Sequence, residues 1–234
     1  MQDETGLRKA LSSGRVYSWF QSVVGAGRTR RWLATNAWKC TGDEMVVDIG
    51  CGTGDMLEQL PPGIRYVGID ISAAYIERAR KRFGARGRFL VGTAETVLED
   101  AGSELLGADL VVCNGLLHHL DDREVIGVLQ LAAAVLRPNG RFVAFEPTYL
   151  QHQPSLARWI MGQDRGRNIR TDAEWRELVL RVFPDATARI LTGLLRLPYT
   201  HVLLEGTTGA TLFLSADQEE GRPESPEPVT PVGA

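Results

Sequence analysis

VVDIGCGTGD, residues 46–55, decides how the chain is read. A short β-branched apolar run ends in three glycines at alternate positions, Gly50, Gly52 and Gly54. A continuous apolar run of this length, bounded by a turn, reads as a strand buried on both faces. Glycines directly after such a strand let a ligand approach the backbone where a Cβ would stand in the way.

The pattern repeats along the chain. YVGIDI (66–71), RFLVGTA (88–94), ADLVVCNG (108–115) and GRFVAFEP (140–147) read as four more strands. Between them, SAAYIERARKRF (72–83) reads as a helix capped by Ser72, with Ile76, Ala79 and Phe83 on one face. GDMLEQL starts a helix after the glycines, and DREVIGVLQLAAAVLRP another that stops near Pro138. Strand–helix alternation predicts an α/β fold with helices on both faces of a parallel sheet. ARILTG and YTHVLLEG, joined by the short LLRLP, predict an antiparallel closing pair. The expectation is a doubly wound, mostly parallel seven-stranded sheet with an antiparallel C-terminal strand pair. Residues 151–183 are charged and helical, and read as a lid insertion.

Doubly wound sheets bind ligands at the carboxyl ends of their strands, where the strand order reverses. Asp70 lies at the end of the second strand, 20 residues after Gly50. An acid there accepts both hydroxyls of a ribose. A dinucleotide fingerprint places its third glycine one residue later than here, and Asp55 stands in that place. A carboxylate at a helix start repels a pyrophosphate and tolerates a sulfonium and an ammonium. Asp48 adds a second anion. S-adenosylmethionine is therefore favoured over NAD, and no GK[ST] follows the glycines to make a P-loop.

DIGCGTG with YVGID resembles the class I S-adenosylmethionine-dependent methyltransferases. VGTAETV, CNGLLHHL and LRPNGRF follow in matching order, so the resemblance covers roughly residues 43–147. The resemblance implies the following cofactor contacts. Gly50 and Gly52 lie against the amino acid end, Asp70 takes the ribose hydroxyls, and Ile71 packs on the adenine. Thr93 and Ala94 fall at the adenine edge, with Thr93 where the family usually has Asp. Asn114, Gly115 and Leu116 lie beside the methionine moiety. VYSWFQSVVG resembles the N-terminal helix that closes such sites, which nominates Tyr17 and Gln21. Asp48 either touches the cofactor or ties down the glycine turn.

No Pro-Pro-aromatic follows Asn114, which argues against amino-group methylation of adenine or glutamine. LLHHL instead resembles small-molecule methyltransferases of biosynthetic pathways. His118 is the favoured general base, because neutral imidazole accepts a proton near pH 7. Tyr149, Asp164, Arg167, Arg170, Tyr199 and His201 are the candidates for binding the acceptor. The arginines of DRGRNIR (164–170) would grip an anionic or polyhydroxylated group. An RNA or protein methyltransferase and a noncatalytic cofactor-binding regulator remain alternatives.

Composition limits the rest. The chain has 234 residues, 44% hydrophobic, with a net charge of −3. Residues 215–234 hold five acids and one arginine, leaving the remainder near +1. That balance gives no duplex nucleic acid footprint. The Pro/Glu/Ser-rich tail is expected to be disordered. Residues 1–40 are expected to form a helical cap and residues 41–214 the main domain. Cys40, Cys51 and Cys113 show no CxxC spacing and read as reduced thiols of a cytoplasmic protein, not as metal ligands. The N-terminus lacks the apolar stretch of a secretory signal.

Overall fold

The first strand, β1 (Met45–Ile49), is buried along its whole length, as a strand covered by helices on both sides must be. The computed structural model describes residues 26–162, 168–195 and 197–209. The expected roles of Tyr17, Gln21, Asp164 and Arg167, and of the acidic tail, lie outside those residues. Helix α1 (Ala26–Leu33) leads through a π-helical turn into β1. The chain then runs β2 (Arg65–Asp70), α2 (Ala73–Phe83), β3 (Arg88–Val91), α3 (Ala94–Leu105), β4 (Ala108–Asn114), α4 (Asp122–Val135) and β5 (Leu136–Tyr149). It closes with α5 (Ser155–Met161), β6 (Arg170–Thr171), α6 (Asp172–Leu180), β7 (Thr187–Leu191) and β8 (His201–Thr207).

The main sheet has the order β3-β2-β1-β4-β5-β8-β7. β1 runs parallel to both β2 and β4, with Val47 opposite Val67 and Val111. β8 pairs antiparallel with β5 and with β7, as the short LLRLP connection predicts. The order reverses between β1 and β4, so a crevice opens where both strands end.

Side-chain alternation builds two cores. Val47, Ile69, Val111, Ala144 and Val202 meet α3, α4 and α6 on one face. Val46, Leu110, Val112, Phe145 and Leu203 meet α1 and α2 on the other, where Ile76 and Ala79 of α2 are fully buried. Each fully buried large apolar side chain contributes roughly 1.5–3 kcal/mol. Ser72 caps α2 by accepting the N–H of Tyr75, as its sequence position predicts. Among the described residues no helix is long and apolar enough to cross a membrane.

Three elements differ from expectation. The segment after the glycines is only a five-residue 3-10 turn, Asp55–Gln59. Pro61 and Pro62 follow and cannot continue a helix. A two-residue strand, β6, lies within the predicted lid and pairs parallel with the end of β5. The lid segment itself divides in two. Its second half, α6, is a core helix: Trp175, Leu178, Val179 and the following Phe183 are all buried. Trp175 donates its indole N–H to the Pro147 carbonyl at 3.0 Å, and Phe183 stacks on Phe142 with centroids 5.0 Å apart. Trp175→Ala is therefore expected to cost roughly 3–5 kcal/mol of stability, read as a lower urea midpoint. A side chain belonging to a mobile lid would leave that midpoint almost unchanged.

Candidate active site

The glycine turn is shaped by backbone conformations that side chains rarely adopt. Gly50 and Gly52 have φ of +78° and +56°. A Cβ at Gly50 would meet the Leu116 side chain at 3.1 Å, whereas a Cβ at Gly52 would meet nothing within 4 Å. Gly50 thus lets the β1 and β4 turns touch, and Gly52 borders open space. Gly54 serves packing, since a Cβ there would meet the rings of Phe83 and Phe89 at 3.0–3.2 Å.

Asp70 ends β2 beside this turn. Its carboxylate accepts the Gly52 N–H at 2.9 Å and the Ser72 N–H at 2.8 Å. Those bonds orient both oxygens and leave lone pairs for further donors. Ile71 next to it is 74% exposed, an apolar surface flanking a carboxylate. Thr93 caps α3, accepting the Thr96 N–H in a reciprocal capping box, and Ala94 is the first residue of that helix.

Asp48 is buried within β1 and accepts the Tyr66 hydroxyl at 2.6 Å. Burial, opposed by that hydrogen bond and reinforced by Asp70 and Asp55, pushes its pKa up to about 7. Asp55 itself pairs with Arg30 of α1 at 3.1 Å and with Arg82 of α2 at 2.5 Å. The repulsion of a pyrophosphate expected from Asp55 is therefore largely cancelled, and Asp70 is the carboxylate beside the turn that no described arginine pairs with. Asn114, on the same face as Asp48, ends β4 with a buried Oδ1 that no described group reaches. A buried acceptor left without a donor costs about 1–3 kcal/mol, and a cationic donor such as an ammonium would satisfy it. Open space at Gly52, an oriented carboxylate, an exposed apolar flank and an orphaned acceptor together fit S-adenosylmethionine.

The turn after β4 is held by a residue that the sequence reading did not nominate. Glu146 of β5 is fully buried. One carboxylate oxygen accepts the N–H groups of Leu116 and Leu117, both at 2.9 Å. The other accepts the His118 N–H at 3.3 Å and lies 2.7 Å from His118 Nδ1. His118 is itself buried, and its Cε1 lies 3.9 Å from where a Gly115 Cβ would stand. Gly115, at φ +67°, supplies the reversal that brings the imidazole back to Glu146. The signal for Glu146 was a lone acid inside the apolar run GRFVAFEP, a buried charge that demands partners.

The acceptor candidates separate. Tyr199 and His201 lie next to each other, centroids 5.0 Å apart, and His201 stacks on Phe145 at 4.3 Å. Tyr149 ends β5 under the Arg158 guanidinium, 5.1 Å from its ring centroid. These rings gather at the carboxyl end of β5. Arg170 does not join them. It is buried and donates to Asp122 through Nε and Nη2, to the Leu120 carbonyl, and to the Leu117 and Asn168 carbonyls. It also lies over Trp175 at 4.7 Å. The expectation that Arg170 grips an anionic acceptor is corrected accordingly, because all five of its N–H groups serve the chain's own turn. Cys40, Cys51 and Cys113 are free thiols, and burial raises the pKa of each.

Comparison with known proteins agrees with this geometry. Residues 47–142 match the family model described as a methyltransferase domain. The chain is similar to the O-methyltransferase sirM of Leptosphaeria maculans, 29% identical over 58% of this chain and 36% of that protein. It is also similar to a malonyl-[acyl-carrier protein] O-methyltransferase of Paenibacillus sp., 26% identical over 74% of this chain and 66% of that protein. The pyocyanin biosynthetic protein PhzM shares its fold, with a TM-score of 0.63, 17% identity, and coverage of 86% of this chain and 60% of that one. The chain spans only 36–48% of the length of the first curated relatives it matches.

Two outcomes follow from this geometry. Arg170→Ala should lower stability by about 2–3 kcal/mol, since hydrogen bonds to a charged group are lost and carbonyls are left unpaired. Denaturant unfolding checks it, and an unchanged midpoint contradicts the clamp. Asp48 is an acid whose folded pKa is raised, so its favourable contribution is present at acidic pH and lost as pH rises through about 7. Asp48→Asn should therefore be more stable than the wild type at pH 8 and show no such advantage at pH 5.

Proposed function

We propose that this chain transfers the methyl group of S-adenosylmethionine to a hydroxyl oxygen of a small molecule, with His118 as general base. The observation that carries the reading is the His118–Glu146 pair at the end of β4. With Nδ1 directed at the buried carboxylate, the imidazole presents Nε2 as its basic nitrogen. Glu146 stabilises the imidazolium that forms when a hydroxyl proton is taken, as a buried carboxylate does behind a histidine base in other enzymes. A hydroxyl acceptor needs such a base, because its proton must leave as oxygen attacks carbon. The bound cofactor supplies a methyl carbon already activated by the sulfonium.

The chain's own residues supply binding and alignment. Gly50, Gly52, Asp48, Asn114, Gly115 and Leu116 would border the amino acid end. Asp70 would hold the ribose, and Ile71, Thr93 and Ala94 the adenine. Tyr149, Tyr199 and His201 would receive the acceptor on a rim of rings, which favours a ring-bearing, hydroxylated compound over a strongly anionic one. Relatives named as O-methyltransferases support transfer to oxygen.

The test is to incubate the protein with S-adenosylmethionine and a metabolite extract, identify the methylated product by mass, and then assay it. An oxygen-methylated product is expected; an N- or C-methylated product overturns the hydroxyl reading. His118→Ala should lower kcat by roughly 10²–10⁴-fold while leaving cofactor affinity, measured by calorimetry, unchanged. Asp70→Ala should instead weaken cofactor binding by about tenfold or more with the fold retained.

A further inference from the structure

Asp48 is a buried carboxylate whose proton the methyl transfer described above does not use. One of its oxygens accepts the Tyr66 hydroxyl, and no second donor reaches it among the described residues. The charged groups around it are unhelpful to an anion. Asp70 at the end of β2 and Asp55 on the glycine turn both repel it. Arg30 of α1 and Arg82 of α2 are directed to Asp55. Buried Cys51 and Cys113 are the other titratable neighbours, and burial keeps both thiols protonated. Asp48 lies opposite Val112 in the register of β1 and β4. Asn114, two residues further along β4, therefore points to the same face and carries the orphaned Oδ1. Two buried acceptors that lack a full set of donors among the described residues thus share one face of neighbouring strands, just before the Gly50 and Gly115 turns.

We propose that Asp48 is a proton switch coupled to occupancy of the cofactor site, a neutral acid in the free protein and a carboxylate when S-adenosylmethionine is bound. The inference rests on placing the amino acid end of the cofactor beside Asp48 and Asn114. The balance is simple: one carboxyl O–H bond breaks, the proton leaves to solvent, and the ammonium and sulfonium replace it as the positive charge facing Asp48. No electrons move. After transfer the product cofactor keeps its ammonium but its sulfur is a neutral thioether, so one of the two positive charges is lost and the carboxylate is held less strongly. Reprotonation of Asp48 then favours exchange of product for fresh cofactor, so the two ligands should be discriminated more strongly as pH rises. The ordinary value that burial pushes up to about 7 sets the pH at which the switch works.

Titration calorimetry of the full chain tests this between about pH 5.5 and 7.5, below the titration of a typical α-amino group at roughly 7.7–8.0. S-adenosylmethionine is titrated in phosphate and in imidazole, whose ionisation heats differ. Below pH 7 the observed heat should depend on buffer, reporting release of up to one proton, and affinity should rise by up to about tenfold per pH unit. S-adenosylhomocysteine should show a weaker rise. Asp48→Asn should abolish the buffer dependence. Tyr66→Phe removes a hydrogen bond that holds the pKa down, so it should move the plateau in affinity to higher pH. Binding with buffer-independent heat at every pH overturns the switch and leaves the cofactor site standing. Proton release that survives in Asp48→Asn overturns it too, by assigning the proton elsewhere. Absence of binding by the wild type overturns the placement on which the switch rests.

Discussion

A fully buried carboxylate is hard to keep ionised in a protein, and Glu146 is tolerable only because four donor positions converge on it. The desolvation of an ion costs several kcal/mol even after relaxation. Hydrogen bonds to a charged acceptor return about 1.5–3 kcal/mol each. Three successive backbone N–H groups, from Leu116 to His118, and the His118 ring meet Glu146. The arrangement works in both directions. The turn satisfies the charge, and the charge dictates the one conformation in which the turn can exist. The position of Leu116 against Gly50 and of His118 at the end of β4 both follow from that constraint.

Arg170 secures the same turn from its far side. It reaches the Leu117 and Leu120 carbonyls, while Glu146 takes the N–H groups. Donors and acceptors of one five-residue stretch, Leu116–Leu120, are thus answered by a buried acid from β5 and a buried base from β6. Asn168 adds a backbone bond from its N–H to the His118 carbonyl. Asn168, just before β6, is therefore fastened to the turn after β4.

The legible and illegible parts of the sequence divide along the range of the interactions. β1 and its glycines were readable because burial on both faces and positive φ are local demands, written in the residues that meet them. The capped α2, the parallel order and the closing β7–β8 pair were readable for the same reason. Asp70 was readable from its spacing to Gly50. Glu146 and Arg170 were not, because each acts on residues 28 to 53 positions away. A charge in an apolar strand announces that partners exist without saying which. The three arginines of residues 164–170 looked like an anion grip, yet the one described in full answers backbone carbonyls. Trp175 and Phe183 looked like parts of a surface insertion because helix α6 has charged residues between its apolar ones. Only the tertiary contact with Phe142 and Pro147 turns it into core.

Electrostatics around the glycine turn follow the same logic of pairing. Three carboxylates, Asp48, Asp55 and Asp70, come within one crevice, and each is answered differently. Asp55 meets two arginines and is neutral in effect. Asp70 meets two backbone N–H groups, which orient its carboxylate at the rim. Asp48 meets a single hydroxyl among the described residues, in a buried setting. The site therefore holds one carboxylate paired with arginines, one held by backbone N–H groups and one buried against a hydroxyl. A cationic ligand gains from the second and third, whereas a pyrophosphate gains from neither. The preference for S-adenosylmethionine over a dinucleotide thus lies less in Asp55, where the sequence placed it, than in the two carboxylates that no described arginine reaches.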